Sequence, residues 1–226
     1  MSRSIEALVD HQIRRWNLPR RSLASEAPLP CVALSRPLGA GAADLGRGVA
    51  NQLGYPFFNR EIVEWIARQT GYQEQMIAGV DEQIRSAIDR FVTDGFSRKK
   101  FSESSYLRQL VRIMAALGER GGAVIMGRGA QFILRPERTL RVLVVAPLAD
   151  RVERLRKRES ISTSEAEELV RRSDASRDEF LKHHFHREPN DPGDYDLCVN
   201  TGDFTLEAGA NLVVAAYRER FPGVKH

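Results

Sequence analysis

The segment Ser35-Arg-Pro-Leu-Gly-Ala-Gly-Ala-Ala-Asp44 places two glycines between a short apolar run and a helix-forming one, where backbone N–H groups could hold a phosphate. A phosphate cradle needs glycine because the chain must bend tightly and approach the anion, while the following helix offsets negative charge at its N-terminus. Gly39 and Gly41 can do this, and Ser35, Arg36, Ala40, Ala42, Ala43 and Asp44 complete the candidate donor-phosphate set. The pattern G-x-x-x-x-G-K-[ST] is not met: with Gly41 as second glycine, Arg36 stands at the first glycine, Ala42 at the lysine and Ala43 at the hydroxyl. The lysine normally reaches the β- and γ-phosphates and the hydroxyl holds magnesium, so both functions come from elsewhere or are absent. From the loop alone, a structural turn and a phosphate site both stay open. Asp44 either caps the helix or reaches a metal, capping being the simpler role.

Cationic side chains are the second chemical feature. Arg151, Arg154 and Arg158 share one helix face by their spacing, as do Asp174 and Arg177 on the next helical stretch, which also carries Arg171 and Arg172. An exposed helix with local ion pairs has the same spacing, so position must decide. His183-His-Phe-His186 has poor metal-ligand spacing, because adjacent histidines face different ways on a helix and no cysteine is near. No metal site is expected. Asp191, Asp194 and Asp196 precede the last apolar run in a Pro-Gly loop and are expected to solvate a turn.

The elements that must position these residues alternate. Cys31–Ser35, Ala123–Gly127, Leu140–Ala146 and Tyr195–Val199 are apolar strand candidates. Leu45, Val49 and Leu53 mark a helix stopped at Gly54, further helical patterns cover residues 60–70, 81–94 and 103–120, and a last helix runs from Thr205 to Arg220. The alternation predicts a three-layer α/β/α sandwich around a mainly parallel five-stranded sheet, with ligands beyond the carboxyl ends of the strands. Residues 1–29 form an appended helix and linker, and 30–226 the main domain. Ile5, Leu8, Val9, Ile13 and Trp16 give the appended helix an apolar stripe that must pack on the domain or on a second copy, as in a homodimer.

Composition narrows the function classes. The 226 residues are 42% hydrophobic and 28% charged, which fits one globular domain. Lys and Arg total 34 against 30 for Asp and Glu, a mild excess that phosphates of a small ligand or a solvated basic face explain equally well. No aromatic–basic interleaving supports nucleic-acid binding. The two cysteines, Cys31 and Cys198, sit in strand candidates and are expected to be core thiols in a reducing, cytoplasmic setting. No apolar stretch is long enough for a membrane span.

Four segments in order, Ser35-Arg36 before the glycine turn, Gly54-Tyr-Pro-Phe-Phe-Asn-Arg-Glu-Ile62, Val124-Ile-Met-Gly-Arg-Gly-Ala130 and Tyr195-Asp-Leu-Cys-Val-Asn-Thr201, resemble the cytidylate kinase-like family. The resemblance spans roughly residues 30 to 220 and implies a P-loop fold with a helical lid. It also implies ATP- and magnesium-dependent phosphorylation of a CMP- or dCMP-like acceptor, with nucleotides as partners. By the same resemblance Arg128 meets the acceptor phosphate, Asn59 and Arg60 open the acceptor-binding helix, and Asp174 and Arg177 match a lid element whose arginines cover the transferring group. Asn59 is equally suited to cap that helix. Arg154 and Arg158 are further candidates for the nucleotide phosphates. The chain departs from the family where a base-recognising aspartate gives way to Gly129, and where a cationic or polar residue after the glycines gives way to Ala42 and Ala43. The resemblance therefore implies phosphoryl transfer by Arg128, Asp174 and Arg177, with a non-catalytic nucleotide-binding module as the alternative.

Overall fold

The computed structural model describes residues 4–17, 28–69, 71, 74, 76, 82–97 and 104–224. The linker expected around Pro19 lies largely outside these residues. Five parallel strands, β1 (Cys31–Ser35), β2 (Phe57–Phe58), β3 (Val124–Met126), β4 (Thr139–Val145) and β5 (Leu197–Asn200), lie in the order β2-β3-β1-β4-β5. The sheet is thus wholly parallel. The strand reading places the four longer strands within two residues of their ends. The fifth strand, β2, has two residues at a sheet edge and is too short for any periodicity to announce it.

Helices cover both faces. On one side lie α2 (Ala42–Leu53) and α9 (Leu206–Arg220), which pack against each other and bury Leu45, Val49, Val213 and Tyr217 with alternate residues of the strands. On the other lie α1 (Ile5–Asn17), α3 (Arg60–Arg68), α4 (Glu82–Ser97), α5 (Ser105–Arg120) and the single turn α6 (Ala130–Ile133). Val9 and Ile13 of α1 are buried there and α1 contacts α3, so this part of the stripe packs on its own chain; Ile5 and Leu8 stay exposed. Helices α7 (Leu148–Glu159) and α8 (Thr163–Phe185) form an antiparallel arm stabilised by Val152, Leu155, Ala166 and Val170. A capping box starts α8: Ser162 accepts from the Glu165 N–H while the Glu165 side chain accepts from the Ser162 N–H.

Two expectations need correction. Cys31 is buried, but Cys198 is exposed, because β5 is an edge strand with one side of its pleat uncovered. Asp196 does not solvate a turn. Its carboxylate accepts from Arg141 at 2.7 Å and pairs with Arg220 at 2.6 Å, tying β5 to β4 and α9. Partial burial alone would raise its pKa, yet the hydrogen bonds from Arg141 and Arg220 outweigh that and hold the carboxyl near 2.

Among the described residues, no helix is long and apolar enough to cross a membrane. Central strand β1 lies where the order reverses: the crossover that leaves it leads to β2 on one side, and the crossover from β3 passes over it to β4 on the other. A crevice opens at the carboxyl end of such a strand.

Candidate functional site

At that end of β1 the chain enters the glycine loop. Gly39 and Gly41 adopt φ of 83° and 78°, left-handed values that a side chain disfavours. A β-carbon on Gly39 would lie 2.5 Å from the Arg151 carbonyl, and one on Gly41 would lie 2.4 Å from the Leu206 side chain. Close packing against α7 and α9 is therefore one reason these positions are glycine. Helix α2 begins at Ala42 with Gly41 as a cap that offers no side-chain bond. Asp44 does not cap it, contrary to expectation: it sits in the first turn, exposed, and pairs with Arg47 at 2.5 Å. Ala40 and Ala42 are buried, at 1% and 2% exposure, and Ala43 packs partly into the core.

Polar side chains from three elements hold the loop. Asp174 of α8 accepts from the Leu38 N–H at 3.2 Å and from Arg151 at 2.6 Å, while Arg151 donates to the Leu38 carbonyl at 3.2 Å. Thr201, fully buried after β5, donates to the Ala40 carbonyl at 2.9 Å and receives Arg154 at 2.8 Å. Asp174, Arg151 and Arg154 thus brace the loop. Arg158 is turned away, exposed beside Glu159.

Beside the loop, the carboxyl ends of β1 and β3 and the inner face of α8 border an open cleft. Arg36, Arg60, Arg128 and Arg177 line it, with Ser35 and Phe180. Arg177 donates to the buried Ser35 hydroxyl at 3.0 Å, which docks the middle of α8 onto β1. Arg128 stands in the left-handed region at φ 53°, between Gly127 and Gly129, and its guanidinium lies 4.5 Å from the centre of the Phe180 ring. Glu64 of α3 pairs with both Arg128 and Arg60. Asn59 acts as the cap of α3, its side chain accepting from the Ile62 N–H at 3.0 Å.

The electrostatics of this cleft differ from those of an ordinary surface. Burial first, then the neighbouring charges of Arg177, Arg60 and Arg128, pull Arg36 down to about 10, against the opposing influence of Glu61. Among the described residues no carboxylate is bonded to Arg36, and the Nε of Arg128 is buried without a hydrogen-bond partner. Guanidinium groups held close together and partly dehydrated attract an anion that can neutralise several at once, and phosphate matches their planar donor geometry.

The structure thus gathers Ser35, Arg36, Arg60, Arg128 and Arg177 into one cleft, puts Asp174 and Arg154 behind the loop, and excludes Arg158 and Asp44. Sequence reasoning missed Glu64, Phe180 and Thr201. Glu64 had a signal, standing four residues after Arg60 on one helix. The first turn of α2 can face a nucleotide phosphate, but Ala42 and Ala43 give magnesium no hydroxyl, so the loop does not fit that ion. His183 and His184 pack edge to face with ring centres 4.7 Å apart, and His184 also packs on Phe180.

The sequence pattern of the cytidylate kinase-like family matches residues 31–203. A cytidylate kinase of Methanothrix thermoacetophila is 24% identical over 188 residues, covering 83% of this chain and 97% of that protein. A uronate isomerase of Corynebacterium glutamicum is 33% identical over 123 residues, 54% of this chain, and the chain spans only 23% of that protein's length. Among solved structures, an uncharacterised protein of Eubacterium ventriosum superposes with a TM-score of 0.63 at 16% identity, covering 83% of this chain and 98% of that one.

Proposed function

The chain belongs to the cytidylate kinase-like family, and from that premise we propose that it transfers a phosphoryl group from ATP to a nucleoside monophosphate or a related small phosphorylated acceptor. The observation that carries this reading is the arginine cleft at the carboxyl end of β1, where Arg36 is driven to about 10 by burial and like charge. In the proposed reaction an oxygen of the acceptor phosphate attacks the γ-phosphorus, the bond to the β–γ bridging oxygen breaks, and ADP leaves. Arg128 and Arg60 hold the acceptor phosphate. Arg36 and Arg177 stand between acceptor and loop, where charge spreads over the equatorial oxygens in flight. The first turn of α2 faces the donor phosphates, and Asp174 acts as a positioning residue for the loop. No step is assigned to magnesium.

Release of ADP, followed by a coupled assay across a panel of nucleoside monophosphates, tests the proposal. Turnover with at least one acceptor is expected, and none with any acceptor, while nucleotide still binds, would remove the enzymatic claim. That result would favour the second reading, a nucleotide-binding module without catalysis. Ala42 and Ala43 support that alternative, as does Asp174 already bonded to the loop N–H that a phosphate could use. Calorimetric titration with ATP and CMP separates both readings from an inert scaffold, which gives no heat with either.

A further inference from the structure

The cleft can also be asked which part of an acceptor it reads. Four guanidinium groups line it, and among the described residues the carboxylates bonded to them are Glu64 and Asp178, with Glu61 also acting on Arg36, so cations exceed carboxylates and the excess suits an anion such as a phosphate monoester. Reading the amino edge of cytosine or adenine takes a hydrogen-bond acceptor, a side-chain carboxylate, amide or hydroxyl oxygen or a backbone carbonyl, and the carbonyls of Gly127 and Gly129 already accept from Ala130 and from Phe132 and Ile133. Among the described residues that line the cleft, no side chain is a carboxylate or an amide. Of the two serines, Ser35 already accepts from Arg177, and Ser176 lies exposed at the mouth. The nearby amide of Gln131 is buried outside the lining; its nitrogen donates to the Tyr195 hydroxyl at 3.3 Å, while its oxygen is buried without a hydrogen-bond partner.

Stacking on an aromatic ring is the other way to recognise a base. Phe180 is the aromatic side chain of the lining, but its ring already carries the Arg128 guanidinium at 4.5 Å and packs against His184 with ring centres 4.8 Å apart. Beneath it the floor is closed. A β-carbon on Gly129 would lie 2.3 Å from the Phe185 ring, so position 129 has no room for a side chain that could reach a base.

We propose that the cleft binds a phosphate monoester through its phosphate alone, so that sugar phosphates and nucleoside monophosphates form one ligand class for this protein. This rests on reading the cleft as the acceptor site, and not on phosphoryl transfer. Calorimetric titration of the full chain without ATP, using CMP, UMP, AMP, ribose 5-phosphate and cytidine, tests it. The four phosphates are expected to bind with dissociation constants within about threefold of one another, and cytidine not to bind. Arg36→Ala should weaken all four in parallel by about tenfold or more, and Arg60→Ala, at a half-exposed side chain, should act in the same direction without disturbing the core. Gln131→Met should leave the ratio of CMP to ribose 5-phosphate unchanged. CMP binding about tenfold tighter than ribose 5-phosphate would overturn the inference while keeping the cleft as a phosphate site. Binding of none of the phosphates, or no effect of either arginine change, would overturn the cleft reading as well, whatever the ADP assay gives.

Discussion

The glycine loop and the arginine cleft both look like anion sites in the sequence, and they lie side by side at the end of β1. They differ in how their polar groups are matched. Around the loop, Asp174 pairs with Arg151 and Thr201 with Arg154, and Asp174, Arg151 and Thr201 bond the loop backbone, although the Nε of Arg151, like that of Arg128, is buried without a partner. In the cleft, cations exceed carboxylates and Arg36 is held partly dehydrated among like charges. A matched network stabilises the fold, whereas an excess of buried charge costs stability and persists where a ligand neutralises it. Mutations at the two regions should therefore have opposite signs in the free protein.

The largest effect is expected at Asp174. Its removal leaves the mostly buried Arg151 without its carboxylate and the Leu38 N–H without its acceptor, so Asp174→Ala should lower stability by about 3 kcal/mol in chemical denaturation. A loss below about 0.5 kcal/mol would show that the loop is not braced this way.

Asp196 is a second matched site and adds a pH signature. Its carboxyl stands near 2 in the folded chain, below the usual value, so the stability it supplies is present above about pH 4 and is lost as pH falls through 2. Asp196→Asn should cost about 2 kcal/mol at pH 7 and flatten the acid limb of the stability profile. An unchanged acid limb would contradict the assignment.

Arg36 should behave in the opposite way. Because its folded pKa is lowered to about 10, the charged form is disfavoured by folding at neutral pH, and the penalty fades as pH rises from about 10 toward 12.5. Arg36→Met should then stabilise the unliganded protein by roughly 1 to 2 kcal/mol while weakening phosphate binding. Destabilisation would erase the contrast between the regions. Arg158→Ala, at the exposed end of α7, should change stability by less than about 0.5 kcal/mol and leave nucleotide binding unaltered.

How far the sequence carried these assignments depended on distance along the chain. The strand Cys31–Ser35, the stop at Gly54 and the cap at Asn59 are local events, written in neighbouring residues, and each is found where the sequence puts it. Clustering of Arg36, Arg128 and Arg177 came from matched segments, and the fold does unite them. Contacts such as Ser35 with Arg177, 142 positions apart, follow from how α8 docks and carry no local pattern. The same holds for Thr201, whose hydroxyl bonds the Ala40 carbonyl across 161 positions. Arg154 and Arg158 share a face by spacing, yet Arg154 reaches the buried Thr201 whereas Arg158, in the last turn of α7, lies exposed beside Glu159. An edge position, invisible in a strand's composition, exposes Cys198.

Phosphate binding is assigned to the arginine cleft. Calorimetric titration of CMP into the wild type, Arg128→Ala and Arg85→Ala tests it most directly, since Arg85 on α4 lies outside the cleft lining. A loss of about tenfold or more is expected for Arg128→Ala and near wild-type affinity for Arg85→Ala. Equal losses in the two variants would contradict it.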